Sequence, residues 1–318
     1  MADLGPFPSF SWSHSRRSTF RECPRMYYWQ YYGYWDGWTE EAPEEARRAW
    51  RLKQVTNLHM LAGSVIHELA SEAILLARGG KVPPTAESLI ARGRERLNRA
   101  YVESQRRAEW ERRPKARTML HSFYYGTGPS DRLIHTIREK LVTCLANLLQ
   151  SGSYREALAA PFVEVREVDR PASFRLEGYE VYVQPDLLYR GGDGRYRLVD
   201  WKTGARDELH PEQLRAYGLY VRAREDLEDG PIEGCLEYLL TGERECRPLT
   251  EADLEEERRE ILDSIDAMRG YLASPERNEP FPRERFALRP DLERCPACRF
   301  YELDEAEIEA AAGERGPF

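Results

Sequence analysis

Thirteen residues separate Asp186 from Asp200 in the stretch that runs from Pro185-Asp186 to Asp200-Trp201-Lys202, and Gly191-Gly192-Asp193-Gly194 lies between them. No other feature constrains the fold as tightly. Residues 182–190 and 195–203 are rich in β-branched, aromatic and alternating side chains, and a glycine-rich turn between two such runs predicts a β-hairpin. A turn centred near Asp193 sets positions 186 and 200 opposite each other. Side chains alternate along a strand, so Asp200 and Lys202 share one face while Trp201 takes the other. Two carboxylates held together repel unless a cation lies between them, and hard oxygen ligands favour Mg²⁺ or Mn²⁺. Lys202 is then placed to orient or deprotonate a metal-bound water. A D-x-K triplet on a surface hairpin also makes an ordinary ion pair, and these three residues alone do not separate the two readings.

At 318 residues the chain can form one large or two ordinary domains, and a hydrophobic fraction of 41% suits a globular protein. No stretch is expected to reach the roughly 20 apolar residues of a membrane span, and Met1-Ala2-Asp3-Leu4 opens no signal peptide. The expectation is a cytoplasmic protein with no membrane partner. A net charge of −8 excludes a basic footprint over the whole surface, yet residues 92–117 carry ten Lys or Arg against four Glu. That stretch reads as a local nucleic-acid groove or as a solvated helix face. Six cysteines without a secretory signal predict free thiols and no disulfide. Cys144 is expected in the core, Cys235 in a strand and Cys246 in a polar turn. Cys295-Pro-Ala-Cys298 differs in kind, because a C-x-x-C pair in a turn binds a metal or the edge of a cluster.

Residues 9–38 are crowded with aromatics that either stack on bases or pack between helices, and Ser13 or Ser15 would cap a helix over 16–32. Helical spacing recurs over 61–78, 85–111 and 131–150. Alternation takes over at residue 162, where 162–168 and 174–183 predict antiparallel strands leading into the hairpin. A helix over 211–224, a strand over 234–240 and a helix over 250–272 capped by Thr250 follow. A proline-rich loop over 275–290 then delivers Cys295 and Cys298. The expected division is an N-terminal helical segment over 1–60, a helical region over 61–160, a sheet-bearing core over 161–250 and a C-terminal helix and cysteine loop over 251–318. These intertwine as one domain.

Three further elements accompany the hairpin. His67 stands in Gly63-Ser-Val-Ile-His67-Glu-Leu-Ala-Ser-Glu72 on an amphipathic helix, where a neutral imidazole serves as a metal ligand or as a partly buried core histidine. Gln213 and Tyr217 lie four apart on one helical face, within reach of a phosphate or of Lys202. Cys23-Pro24-Arg25 stands near one end of the chain and the C-x-x-C pair near the other.

In their order and spacing these motifs resemble the RecB-like nucleases of the PD-(D/E)XK superfamily. They most resemble the branch with iron–sulfur clusters that includes AddB and the exonucleases of CRISPR adaptation. The likeness runs from Phe10 to Arg25, through Gly63 and His67, to Pro185-Asp186, Asp200-Trp201-Lys202-Thr203-Gly204, Gln213 and Tyr217. Residues 92–150 match no motif and read as a helical insertion. The resemblance implies an α/β fold with a restriction-endonuclease-like core, a central mixed sheet flanked by helices. It implies that His67, Asp186, Asp200 and the Trp201 carbonyl bind Mg²⁺ or Mn²⁺, that Lys202 positions the attacking water, and that Gln213 and Tyr217 support the phosphate or Lys202. Glu164 either assists through a second metal or a water, or faces solvent.

The resemblance further implies an iron–sulfur cluster on Cys23, Cys295 and Cys298, with Asp304 where the family carries a fourth cysteine. Three outcomes are compatible: a four-iron cluster with Asp304 or an outside ligand, a three-iron cluster on three cysteines, or a site that is empty or holds zinc. The implied activity is metal-dependent DNA cleavage, as an exonuclease or a nuclease preferring single strands or free ends, in repair, recombination or defence. No phosphate-binding Gly-rich loop with Lys-Ser/Thr is present, so any unwinding falls to a helicase or defence-complex partner. The rival reading is a nuclease-like module that holds DNA or a protein without cutting.

Overall fold

The computed structural model describes residues 7–159, 163–206, 210–291 and 293–313. Met1-Ala2-Asp3-Leu4 and Phe162, at the start of the predicted 162–168 strand, lie outside the described residues. The chain folds into two compact units. One is drawn from the described residues of 58–99 and 129–262, the other from those of 1–57, 100–128 and 263–318.

The first unit is built on α1 (Leu58–Arg78), α2 (Asp131–Gln150), α3 (Gly152–Leu158), β1 (Glu164–Val168), β2 (Ala172–Leu176), β3 (Tyr179–Val183), β4 (Leu187–Arg190), β5 (Tyr196–Lys202), α4 (His210–Arg222), β6 (Ile232–Tyr238) and β7 (Glu243–Pro248). Its sheet has the order β7-β6-β5-β4-β1. All pairs are antiparallel except β5 with β6, which run parallel and are joined by the crossover helix α4. This is the mixed, helix-flanked sheet expected of a restriction-endonuclease-like core. One face packs Leu187, Tyr189, Val199, Trp201 and Cys235 against Ile66, Leu69, Ala73 and Leu145 of the helices.

The predicted hairpin forms as β4–β5, closed by Gly191 N–H to Arg195 O at 2.9 Å and Gly194 N–H to Gly191 O at 2.9 Å. Its first strand is shorter than expected. The run 182–190 breaks at Gln184-Pro185-Asp186 because Pro185 has no N–H for a ladder. The predicted 174–183 strand is itself a hairpin, β2 with β3, turning at Glu177 (φ 46°) and Gly178 (φ 85°). Both turn residues are left-handed, as a two-residue turn matching strand twist requires, and glycine adopts that conformation without cost.

Helix α1 departs from expectation in another respect, since by length and composition it is apolar enough to cross a membrane. In the folded unit its Val65, Ile66, Leu69, Ala70, Ala73 and Ile74 are buried in the core. The basic stretch is also more compensated than its count implies. Arg92 and Arg96 pair with Glu72 in this unit, and Arg107 pairs with Glu111 in the other.

Cysteine chemistry gives the plainest correction. Cys246 lies in β7, not in a polar turn, directly opposite Cys235 of β6, and the two form a disulfide. The expectation of free thiols rested on the missing secretory signal, which says nothing about two cysteines brought face to face by strand register.

In the second unit the predicted 16–32 helix is divided. His14–Glu22 is capped by Ser13, whose Oγ accepts from Arg16 N–H at 3.1 Å. It stops at Cys23 because Pro24 cannot continue it, and Pro24–Tyr28 starts a new helix that widens into a π-turn over Trp29–Gly33. The aromatics here pack mainly on one another: Tyr27, Trp29 and Tyr32 are buried, and the Arg16 guanidinium sits 4.5 Å from the ring centres of both Phe10 and Tyr31. The predicted 85–111 helix likewise ends at Ser104 and resumes as Arg107–Arg112.

Because the Cys235–Cys246 bridge closes a segment with a sequence separation of 11, Cys246→Ser should lose about 3 kcal/mol of unfolding free energy in oxidising buffer. Urea denaturation of both proteins, repeated with a thiol reductant, checks this; a gap that persists under reduction would show that the bond is not its source.

Candidate active site

Asp186 sits at the head of β4 and Asp200 near the end of β5, and the register Leu187↔Val199, carried one residue further, brings them alongside. Asp186 is the buried hub. Its Oδ1 lies 2.7 Å from His67 Nδ1 and its Oδ2 accepts from the backbone N–H of Trp201 at 2.6 Å. A strand residue's N–H and C=O point to the same edge, so the Trp201 carbonyl faces this side too. The Trp201 ring turns into the core, where its Nε1–H donates to buried Glu237 at 2.8 Å. Gly63 lets α1 come this close: a Cβ there would stand 3.1 Å from Thr203 Oγ1, the residue after Lys202.

Lys202 is held from two sides. Its Nζ is 2.7 Å from Asp200 Oδ2 and donates to Gln213 Oε1 at 2.7 Å. Gln213 Nε2 in turn donates to the Tyr217 hydroxyl, which donates to the Gln184 carbonyl at 2.9 Å. The four-residue spacing on α4 thus makes a relay that fixes the amine. Asp200 Oδ2 is buried, and although close to Lys202 it has no aligned hydrogen bond. Two buried carboxylates side by side are what a divalent cation would satisfy, and His67, Asp186, Asp200 and the Trp201 carbonyl are of the right donor types.

Burial alone would lower the His67 pKa, but Asp186, with Asp200 and Asp169 behind it, outweighs burial and raises it to about 9. Burial raises the Asp186 pKa, with His67 opposing and Asp200 reinforcing the shift. Burial also drives the Tyr217 phenol far up, so it stays a neutral donor.

Asp169 is a neighbour that motif reading did not find. It lies in a turn after β1 at φ 46°, its N–H donates to the Asp186 carbonyl at 2.9 Å, and its carboxylate accepts from Gln184 Nε2 at 2.6 Å and Ser71 Oγ at 3.2 Å. With Gly63, His67, Glu68, Asp186 and Thr203 it lines an open cavity of about 550 Å³. An Asp in a turn carries no signal that would single it out. Glu164 is exposed and paired with Arg166 at 2.7 Å.

The other unit holds the cysteine site. Cys23, Cys295 and Cys298 line a cavity of about 340 Å³, with Asp304 also in its wall. Cys295 Sγ accepts from Asp291 N–H at 3.3 Å and Cys298 Sγ from Phe300 N–H at 3.4 Å. Burial pushes the Cys298 thiol up to about 12, with Cys23 and Cys295 adding to it. Among the described residues, the one set of three ligand atoms mutually within 4.8 Å is Glu233, Cys235 and Cys246, whose two sulfurs are bonded to each other.

A family model described as the PD-(D/E)XK nuclease superfamily matches residues 11–303. No curated protein matches the chain. A solved structure described as "Crystal structure of SSO0001" is 18% identical, with 63% of this chain and 81% of that chain covered, at a TM-score of 0.26. That likeness is too low to bear on function.

Since the folded-state pKa of His67 is raised from 6.5 to about 9, its imidazolium stabilises the chelator-treated protein fully below the ordinary value and less as pH rises through the folded one. The melting-temperature gap between wild type and His67→Gln should shrink between about pH 6 and about pH 10. A gap independent of pH would show the imidazole to be neutral beside Asp186.

Proposed function

The chain belongs to the PD-(D/E)XK nuclease superfamily, and from that premise we propose that it is a Mg²⁺- or Mn²⁺-dependent deoxyribonuclease that acts on single strands or free ends, as RecB-like enzymes do. The observation that carries the reading is the pair of buried carboxylates Asp186 and Asp200 beside His67, with Lys202 2.7 Å from Asp200 and held by Gln213 and, through it, Tyr217. His67, Asp186, Asp200 and the Trp201 carbonyl would hold a divalent cation, which would supply the Lewis acidity to activate water and polarise the scissile phosphate.

The residues of the chain do the rest. Asp200 and a neutral His67 would serve as ligands to that cation, the His67 proton passing to solvent. Lys202, kept in place by the relay, orients the attacking water and stabilises the charge that develops on the phosphate. Glu68, Asp169, Asp186 and Asp200 make the site acidic, so a polyanionic strand approaches only with a cation in place. The resemblance also supports a role in repair, recombination or defence, with a helicase or defence complex as partner.

We extend the proposal to the cysteine cavity, which we assign to an iron–sulfur cluster. Three cysteines in the wall of one cavity, in the order that the resemblance implies, support that reading.

Asp200→Ala and Lys202→Ala should each lower cleavage by about 10³-fold or more while keeping the wild-type circular dichroism. Gln213→Ala should cost less, about tenfold, because it acts only through Lys202. Labelled linear single-stranded, linear duplex and covalently closed circular DNA, each with Mg²⁺ and Mn²⁺, test the reading. Equal cutting of closed circles would remove end dependence, and binding without cleavage in both ions would favour the non-cleaving module.

A further inference from the structure

Asp304 lines the cysteine cavity, yet its carboxylate is already committed. Oδ1 accepts from Arg25 Nη1 at 2.8 Å and Oδ2 accepts from Trp29 Nε1 at 2.7 Å, across sequence separations of 279 and 275. Arg25, Trp29 and Asp304 are all buried, with 4%, 1% and 6% of their surface exposed. Arg25 is itself fixed, donating from Nε to the Phe286 carbonyl at 3.1 Å and from Nη1 to Glu307 at 3.1 Å. Turning Asp304 onto a metal would leave a buried guanidinium and a buried indole N–H short of an acceptor, which is the costly way to break a buried pair.

The sulfurs differ from it in kind. Backbone N–H groups of Asp291 and Phe300 point at Cys295 and Cys298. The cavity therefore offers three cysteine sulfurs and a wall carboxylate that faces its own cation.

We infer that Asp304 is a latch and not a ligand, so that the cavity is a three-thiolate metal site whose fourth coordination position is filled from outside the chain by a small thiol or solvent. The ligand half of this inference rests on the iron–sulfur reading above. The latch half does not. Arg25–Asp304–Trp29 joins the N-terminal helix Pro24–Tyr28 and the turn after it to the C-terminal helix Tyr301–Gly313 with or without a metal.

Wild type, Asp304→Asn, Asp304→Ala and Cys295→Ser are reconstituted anaerobically with ferrous iron and sulfide, and bound iron, sulfide and the Mössbauer spectrum are read. The metal-free proteins are melted in parallel. Asp304→Asn, which keeps the shape of the side chain, should hold as much iron as wild type, while Cys295→Ser should lose most of it. A small thiol added to the wild type should change the signal of one iron site. Metal-free Asp304→Ala should melt roughly 5–15 °C below wild type, and Asp304→Asn should also melt lower. Loss of iron in Asp304→Asn equal to that in Cys295→Ser, with the fold intact, overturns the inference. If wild type takes up no iron, the iron–sulfur reading fails by itself and the melts decide the latch: unchanged midpoints in both Asp304 variants overturn it, and lowered ones sustain it.

Discussion

The candidate active site depends on one buried carboxylate. Asp186 accepts from the Trp201 backbone with one oxygen and meets His67 with the other, so the broken strand after Pro185, the central strand β5 and the long helix α1 are tied at one point. A carboxylate that far from water is stable only while both oxygens are matched. The surrounding architecture serves that requirement. Gly63 admits the helix, Glu237 anchors the Trp201 ring from the opposite face, and Asp169 braces the Asp186 carbonyl.

Charge balance explains why the same geometry suits a cation. The two carboxylates are neutralised by the His67 imidazolium and the Lys202 ammonium, one on each side. Both cations are tethered to the chain, and an imidazole, unlike an ammonium, can lose its proton near neutral pH. Lys202 does not need to leave: Gln213 and Tyr217 hold it independently of Asp200, which is what a residue acting on water and phosphate requires. The cysteine site in the other unit follows the opposite logic. There a carboxylate at the cavity wall is consumed by a buried guanidinium, and sulfur is left as the available donor.

Several features were legible because they are local. The D-x-K alternation on β5, the turn at 191–194, the four-residue spacing of Gln213 and Tyr217 and the Ser13 cap all follow from the period of one element. What escaped was set by the pairing of distant elements. The Cys235–Cys246 disulfide comes from strand register. Asp169 joins the site because β1 ends beside Asp186, and its own neighbours in the chain give no hint of it. The breaks at Pro24 and Pro185 also escaped, since the helical and alternating patterns run on through both prolines.

By itself the sequence determined the donor types and their spacing: two carboxylates on facing strand positions, an amine two residues on, an imidazole on an apolar helix, and three cysteines at the two ends. Covalent order and the periods of helix and strand suffice for that. The tertiary structure alone decided which partner each polar group met on leaving water. It set His67 on Asp186, left an oxygen of Asp200 without an aligned partner, and turned Asp304 to Arg25 and Trp29. The physical reason is that burial makes every polar atom choose a neighbour, and those neighbours are distant in the chain.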